Sequence, residues 1–333
     1  MALLAYLPAG LAESDVKDLL GDKGAISKAK AIEAADCLRQ LRLVESRLEG
    51  RLRMLTPLRE SARLDVPLHP SDRDRLLDRF LRLAKAGILV ATKDWARVRH
   101  AVEAESGNLD SVCDLALQAG GRLDRLVEAL DGATELSIFA GLGSIHTLLR
   151  SSAARIRAQP GLMARISFDI GSISLARSDH ATARQRTEEA ISLFGSVGNI
   201  IGQANCIRNL GAVALGQSDH QTAQQRYEEA LSLYRKRGSV SGEADCLTNM
   251  GNLAARRSDH GLARKRLEEA LPLYPEVGDV RGEATCIFRL GELSWHSQPE
   301  AARERFQDAL RLSRGIGDVL GEATVSTALA RLI

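Results

Sequence analysis

The stretch RSDHATARQRTEEAI, residues 177–191, returns forty positions later as QSDHQTAQQRYEEAL and forty later again as RSDHGLARKRLEEAL. A repeat of this length means stacked supersecondary units, because one unit alone cannot bury its apolar face. Aligned on glycine, the chain gives four units: 161–200, 201–240, 241–280 and 281–319. The last is one residue shorter, at WHSQPEAAR, and a partial fifth runs from 320 to 333. In the second unit Ala204, Ile207, Leu210, Gly211 and Ala214 fall on one helical face. Ala223, Tyr227, Ala230, Leu231 and Tyr234 fall on another. These i, i+3, i+4, i+7 spacings predict two amphipathic helices per unit. GQSD between them is short enough only for a tight antiparallel turn.

Composition agrees with an all-α reading. The chain is rich in Leu, Ala and Arg, poor in aromatics, and carries eight prolines. A formal net charge of +2 gives no global field for nucleic acid or for cationic partners. No apolar run approaches the roughly 20 residues of a membrane span. The opening MALLAYLPAGLAESD is a short apolar stretch, interrupted by Pro8 and without a basic leader, so it does not read as a signal peptide. Five cysteines, an odd count with no CxxC, suit a reducing compartment, and the expected location is cytoplasmic.

Four unit positions together resemble the tetratricopeptide repeat. They are Leu210-Gly211 in the first helix and Ala223, Tyr227 and Ala230 in the second. Ile170-Gly171, Met250-Gly251 and Leu290-Gly291 fill the first pair elsewhere, and Ala183/Ala190, Ala263/Ala270 and Ala302/Ala309 fill the small positions. The common unit is about 34 residues. The forty-residue form is similar to the extended subclass of G-protein-regulator and kinesin-light-chain-type arrays. The resemblance implies a right-handed superhelix of helix pairs.

In that pattern the turn reads Gly-Asp-Tyr; here it reads Ser-Asp-His. Asp179, Asp219 and Asp259 stand where an N-cap belongs, with the histidines following at the first helical position. Residues one repeat apart lie on neighbouring units, about 10 Å apart. Metal ligands need about 2–2.6 Å to one ion, so the ladder is architectural and no metal is expected. Adjacent glutamates diverge by about 100° on a helix and read as a solvated face. Cys206, Cys246 and Cys286 form a second ladder, with Ile166 as its first member, and read as buried thiols too far apart to bridge.

The first 66 residues differ. SDVKDLLG and SKAKAIEAADCLRQL read as helices capped by Ser14 and Ser27. LRLVESRLEGRLRML holds two short alternating runs about Glu49-Gly50 and predicts a β-hairpin. TPLRESARL starts another helix, with Thr56 as N-cap and Pro57 at the next position. This order is that of a winged helix. The segment resembles the winged-helix part of signal-transducing NTPases of the NB-ARC (STAND) type, in which fungal members place tetratricopeptide repeats behind it. The cues are the Leu-Pro opening, the LRLV strand, the Gly-turned hairpin and PLRE. The chain departs from that family in having no GxxxxGK[ST] phosphate loop. At the place of the family's nucleotide-sensing Met-His-Asp it has Met54, Leu55 and Thr56. Nucleotide hydrolysis is therefore not expected, and no cofactor is. Residues 67–160 are helical by period, with alternating Asp and Arg. They read as degenerate helical hairpins joining the winged helix to the repeats, with VPLHP at 66–70 as linker.

The expected function is a non-catalytic scaffold binding a peptide or protein in the concave groove, as the sensor part of a STAND-like protein without its NTPase domain. From the family pattern, the groove should hold Phe168, Asp169, Arg208, Asn209, Thr248, Asn249, Asn252, Phe288, Arg289, Glu292 and Trp295. Trp295 would be its strongest single contact, because the equivalent residues are Leu175, Leu215 and Ala255. The alternatives are a DNA-binding regulator acting through the winged helix and a cargo or G-protein-regulator-type adaptor. Against the first, Lys28, Lys30 and Arg39 of the would-be reading helix are balanced by Glu33 and Asp36. No nucleophile–base or HExxH motif supports an enzyme. The last helix has no second helix to cover it, so the expectation is either that the natural chain runs longer or that the C-terminal end self-associates through an apolar patch.

Overall fold

The computed structural model describes residues 2–7, 9–12, 28–41, 43–46, 51–54 and 68–86, isolated positions between 59 and 115, and all of 160–332. They fall into two compact units. One holds the described residues up to 86 together with those of 102–115, and the other holds Thr92, Asp94 and 160–332.

The first unit contains α1 (Ala2–Ala5), β1 (Leu11–Ala12), α2 (Lys28–Gln40), β2 (Val44–Ser46), β3 (Arg51–Met54) and α3 (Pro70–Lys85). Both strands of the expected hairpin are present: β2 pairs antiparallel with β3, Val44 opposite Met54 and Ser46 opposite Leu52. β1 was not anticipated. It adds to the free side of β3, Leu11 opposite Leu52, giving the sheet order β1-β3-β2. Two residues carry too little periodicity to read as a strand. What holds them is distant: the fully buried Asn108 accepts from Ala9 N at 2.8 Å and donates to Gly10 O at 2.8 Å. Gly10 has φ +77°, and a Cβ there would sit 2.5 Å from Leu52 O, so only glycine fits. Leu4, Leu7, Leu11, Val44, Leu52 and Met54 are buried here, as is the stripe Leu76, Leu77, Phe80, Leu81 and Ala84 of α3. Thus residues 68–86 and the described positions of 102–115 from the expected connector lie in this unit, while Thr92, Asp94 and Pro160 fall in the other. The helix at 14–20, the caps Ser14, Ser27 and Thr56, the turn Glu49-Gly50 and the stretch 116–159 lie outside the described residues.

The second unit is four helix pairs and a final helix: α4 (Pro160–Ala176) with α5 (His180–Ser196), and α6 (Ile200–Gly216) with α7 (His220–Arg237). α8 (Val240–Arg256) follows with α9 (His260–Ala270) and α10 (Leu273–Val277), then α11 (Val280–Ser294) with α12 (Pro299–Gly315), and α13 (Val319–Arg331). Each helix packs on the next in sequence, and first helices of successive pairs also touch. In the third repeat the second helix stops at Ala270 and resumes at Leu273. Pro272 has no N–H to continue the ladder. Both faces proposed for the second repeat are buried in full, from Ala204 to Tyr234.

The Leu-Gly signature has a steric cause. A Cβ on Gly211 would lie 2.6 Å from Tyr227, one on Gly251 2.8 Å from Leu267, and one on Gly291 2.6 Å from Phe306. The bare glycine lets the large residue of the second helix reach the backbone of the first. The turns work as expected at aspartate: Asp179, Asp219 and Asp259 accept from Thr182 N, Thr222 N and Leu262 N at 3.0–3.1 Å. The serine before each was not anticipated as strained. Ser178, Ser218 and Ser258 have φ +60°, +62° and +61°, the left-handed region that favours glycine. The glutamate pairs are resolved too. Glu189, Glu229 and Glu269 accept from Arg186, Arg226 and Arg266 one turn earlier, at 2.9, 3.0 and 2.9 Å. The second pair is exposed and the other two are half-buried. Such i,i+3 surface pairs are worth a few tenths of a kcal/mol each, about 0.3–0.5.

Candidate functional site

The first helices carry the candidate site, and the structure separates its eleven expected residues. Asn252, Arg289 and Glu292 come together at a cleft of about 510 Å³ between the third and fourth repeats. Leu215, Ala255, Leu267 and Leu293 supply its apolar wall, and Arg256 completes the rim. Arg289 donates to Glu292 at 2.7 Å, and both are exposed.

Others are spent inside the fold. Asn209 is buried and donates to Ser172 Oγ at 2.9 Å, bridging the first two repeats. Thr248 is buried against the Tyr274 hydroxyl at 2.8 Å. Asp169 is 1% exposed with Arg165 3.6 Å away, and that guanidinium also lies over the Phe168 ring at 5.4 Å. Asn249 is half-buried. Phe288 is buried with its ring 5.3 Å from Phe306, and half-buried Trp295 meets the same ring edge-on at 5.8 Å. The equivalents of Phe306 are Thr187, Tyr227 and Leu267. The fourth repeat thus builds an aromatic cluster, and Trp295 is not among the residues lining the cleft.

A polar set joins the second and third repeats. Arg208 pairs with Asp245 at 3.1 Å, and the Tyr234 hydroxyl donates to Asn205 Oδ1 at 2.7 Å. Burial pushes the Tyr234 phenol up to about 12, so it stays a neutral donor. Asn205, Asp245 and Tyr234 were not anticipated. The signal was available by reading columns: Arg165, Asn205, Asp245 and Thr285 are polar in every repeat, each one residue before the cysteine ladder.

The ladder cysteines are buried thiols, as expected. Cys206, Cys246 and Cys286 are fully buried, and burial raises each thiol to about 12. Cys246 and Cys286 donate to Tyr227 O and Leu267 O at 3.0 and 3.1 Å. Among the described residues no group of His, Cys, Asp or Glu gathers that could hold a metal ion, and no helix is long and apolar enough to cross a membrane.

Residues 162–236 match the family model of the tetratricopeptide repeat. No match was found among curated proteins. Among solved structures, a Rap protein complexed with competence and sporulation factor is similar at 12% identity and TM-score 0.58, over 94% of this chain and 80% of that one. The Rap conjugation gene regulator of plasmid pLS20, in complex with the Phr* peptide, is similar at 13% identity and TM-score 0.53, over 98% and 78%. Aspartyl phosphate phosphatase F from Bacillus subtilis is similar at 11% identity and TM-score 0.52, over 78% and 79%. At such identities the likeness speaks for the fold. With the glycine-seated large residues and the forty-residue spacing, it gives residues 160–332 a helix-pair repeat fold, of which 162–236 match the tetratricopeptide model.

Proposed function

We propose that this protein is a non-catalytic interaction scaffold that holds an extended peptide or a protein partner against the concave, first-helix face of its repeats. The observation that carries the reading is the cleft between the third and fourth repeats. It has an apolar wall of leucines and a rim of Asn252, Arg256, Arg289 and Glu292. An apolar seat with a few convergent hydrogen-bonding groups is the composition of a recognition pocket. Asn offers both donor and acceptor to a peptide backbone, and Arg a forked donor to a carboxylate. Two of the similar structures were solved with bound factors, the competence and sporulation factor and the Phr* peptide.

The N-terminal unit is the winged-helix part of this proposal. Its β1-β3-β2 sheet and the helix before the hairpin are the arrangement that reading needs. With it goes a sensor or regulatory role of STAND-like type in the cytoplasm, without nucleotide chemistry in this chain. DNA reading by α2 is disfavoured, because Asp36 engages Arg39 at 2.5 Å.

Selection of a displayed random-peptide library on the immobilised chain tests the proposal. Peptides captured by the native chain should lose at least about tenfold in affinity with Arg289→Glu and with Asn252→Ala, at unchanged melting temperature. Capture that ignores both substitutions overturns the site, and failure to capture any peptide or protein overturns the function.

A further inference from the structure

At the end of α11, two guanidiniums converge on one neutral oxygen. Ser294 is fully buried, and its hydroxyl donates to Leu290 O at 3.0 Å. Its oxygen accepts from Arg305 of α12 at 2.5 Å and from Arg264 of α9 at 3.4 Å. Neither arginine has a carboxylate partner among the described residues.

This breaks the pattern of the array. Arg186, Arg226 and Arg266 stand at the position of Arg305, and each is neutralised by the glutamate three residues on. In the fourth repeat that residue is the shorter Asp308, which bonds Arg311 at 2.9 Å instead. Arg305 has swung away to Ser294. In the first repeat the counterpart of Arg264 is Arg184, which bonds the uncharged Gln217 at 2.7 Å.

The surroundings are basic as well. Residues 257–265 add Arg257 and Lys265 to Arg264 against one carboxylate, Asp259, and that carboxylate caps α9 through Leu262 N. The matching stretch of the second repeat, 217–225, holds no Lys or Arg against Asp219. Two like charges held at one uncharged hydroxyl repel each other, and an oxyanion seated between them would reverse the sign of that contact.

We infer that Arg264, Arg305 and the Ser294 end of α11 form an oxyanion-binding site at the turn edge of the joint between the third and fourth repeats. It takes a phosphate or a carboxylate. It is separate from the first-helix cleft and does not depend on peptide binding there.

The test is thermal melting of the full chain against increasing sodium phosphate, and against N-acetyl-glutamate amide, each compared with sodium chloride at equal ionic strength. Phosphate also stabilises proteins by exclusion from their surface, and that part is common to every variant. The expected result is a saturating rise of about 2 °C or more over chloride in the native chain. It should vanish in Arg305→Gln and in Arg264→Gln and persist in Arg226→Gln, whose guanidinium has its own glutamate. The stronger of the two probes names the source, free phosphate or a carboxylate on a partner's side chain. A rise that is equal in all four proteins, or no rise over chloride in the native chain, overturns the site.

Discussion

Phe194, Tyr234 and Tyr274 press their rings onto Gly202, Gly242 and Gly282, where a Cβ would stand 2.7, 2.2 and 2.1 Å from the ring. At the last joint Ser313 occupies the matching position beside Gly321. The ring is replaced there by charge: Arg281 pairs with Asp318 at 3.2 Å, with side chains only 14% and 13% exposed. Asp318 also caps α13 through Gly321 N at 3.0 Å. The inner joints therefore rest on apolar burial, which is insensitive to salt. The last keeps apolar contacts through Val325 and Ala328 but has no ring at this seat. Two ion pairs, Arg281–Asp318 and the exposed Arg314–Glu322 at 2.7 Å, and the Asp318 cap stand there instead. These are worth less than ring burial. Val319 and Leu320, at the start of α13, remain 65% and 70% exposed.

Substituting the glycines gives the largest contrast. Gly242→Ala drives a methyl into the Tyr234 ring, which is fully buried and has nowhere to turn. Overpacking of about 3 kcal/mol, less about 1 kcal/mol of helix propensity, leaves a net loss of about 2 kcal/mol. Gly321→Ala meets only the Asp318 carboxylate and the Ser313 hydroxyl, and should stay within about 0.5 kcal/mol of the native protein. Urea denaturation measures both. Equal losses would remove the distinction between the joints.

Asp318→Ala removes the cap and the ion pair together. The expected cost is about 1.5 kcal/mol, confined to α13 and smaller in high salt. Hydrogen exchange should quicken across residues 319–331 and stay unchanged in α6 to α8. Faster exchange throughout would mean that the last helix is as tightly coupled as the others.

The caps sharpen the comparison on a smaller scale. Burial holds the Asp279 carboxyl, at the joint between the third and fourth repeats, above the usual carboxylate range. Hydrogen bonding from Thr222 holds Asp219, in a turn within a repeat, below it. Asp279 thus contributes stability that is fully present below its unfolded pKa and is lost as pH rises through its raised folded value. Asp219 contributes in the opposite sense: its stabilisation is present above its unfolded pKa and is lost as pH falls through its lowered folded value. Asp279→Asn keeps a good cap, as Asn199 does at the first joint with Gly202 N at 2.8 Å. The variant should lose the downward step in melting temperature with rising pH, and should be at least as stable as the native chain at pH 7. Asp219→Asn should instead lose a step on the acid side. A variant of Asp279 that melts lower at neutral pH would show that its charge is needed at the joint.

The smallest effect belongs to the turns. Ser218→Gly relieves a left-handed serine but adds freedom to the unfolded chain, for a net gain of about 0.5 kcal/mol in a thermal melt. Loss of stability would mean that the serine side chain makes up for its backbone strain.

Much of the array was legible before any coordinates. Ala204 to Tyr234 could be assigned to buried faces because helical spacing alone decides which side chains share a face. Asp219 could be assigned as a cap because a cap is a contact three residues long. The cysteine ladder reads as buried because its column is otherwise isoleucine. The groove residues were only partly legible. Asn209, Thr248 and Phe288 lie on the right helices, but whether each faces outward depends on Ser172, Tyr274 and Phe306, which lie 37, 26 and 18 residues away in sequence.

By itself the sequence determined the period, the two-helix unit, the seats for small residues and the turn caps. All of these are set by neighbours within one or two helical turns, where geometry is the same in every repeat. Only the tertiary structure decided which large side chain lands on which glycine and that Leu11–Ala12 becomes a strand beside Leu52. It also decided that the cleft opens between the third and fourth repeats, and that Arg305 turns from Asp308 to Ser294. Those outcomes turn on long side chains with several rotamers and on partners far apart in the chain. One shortened residue or one missing position redirects such contacts without leaving any mark on the local pattern.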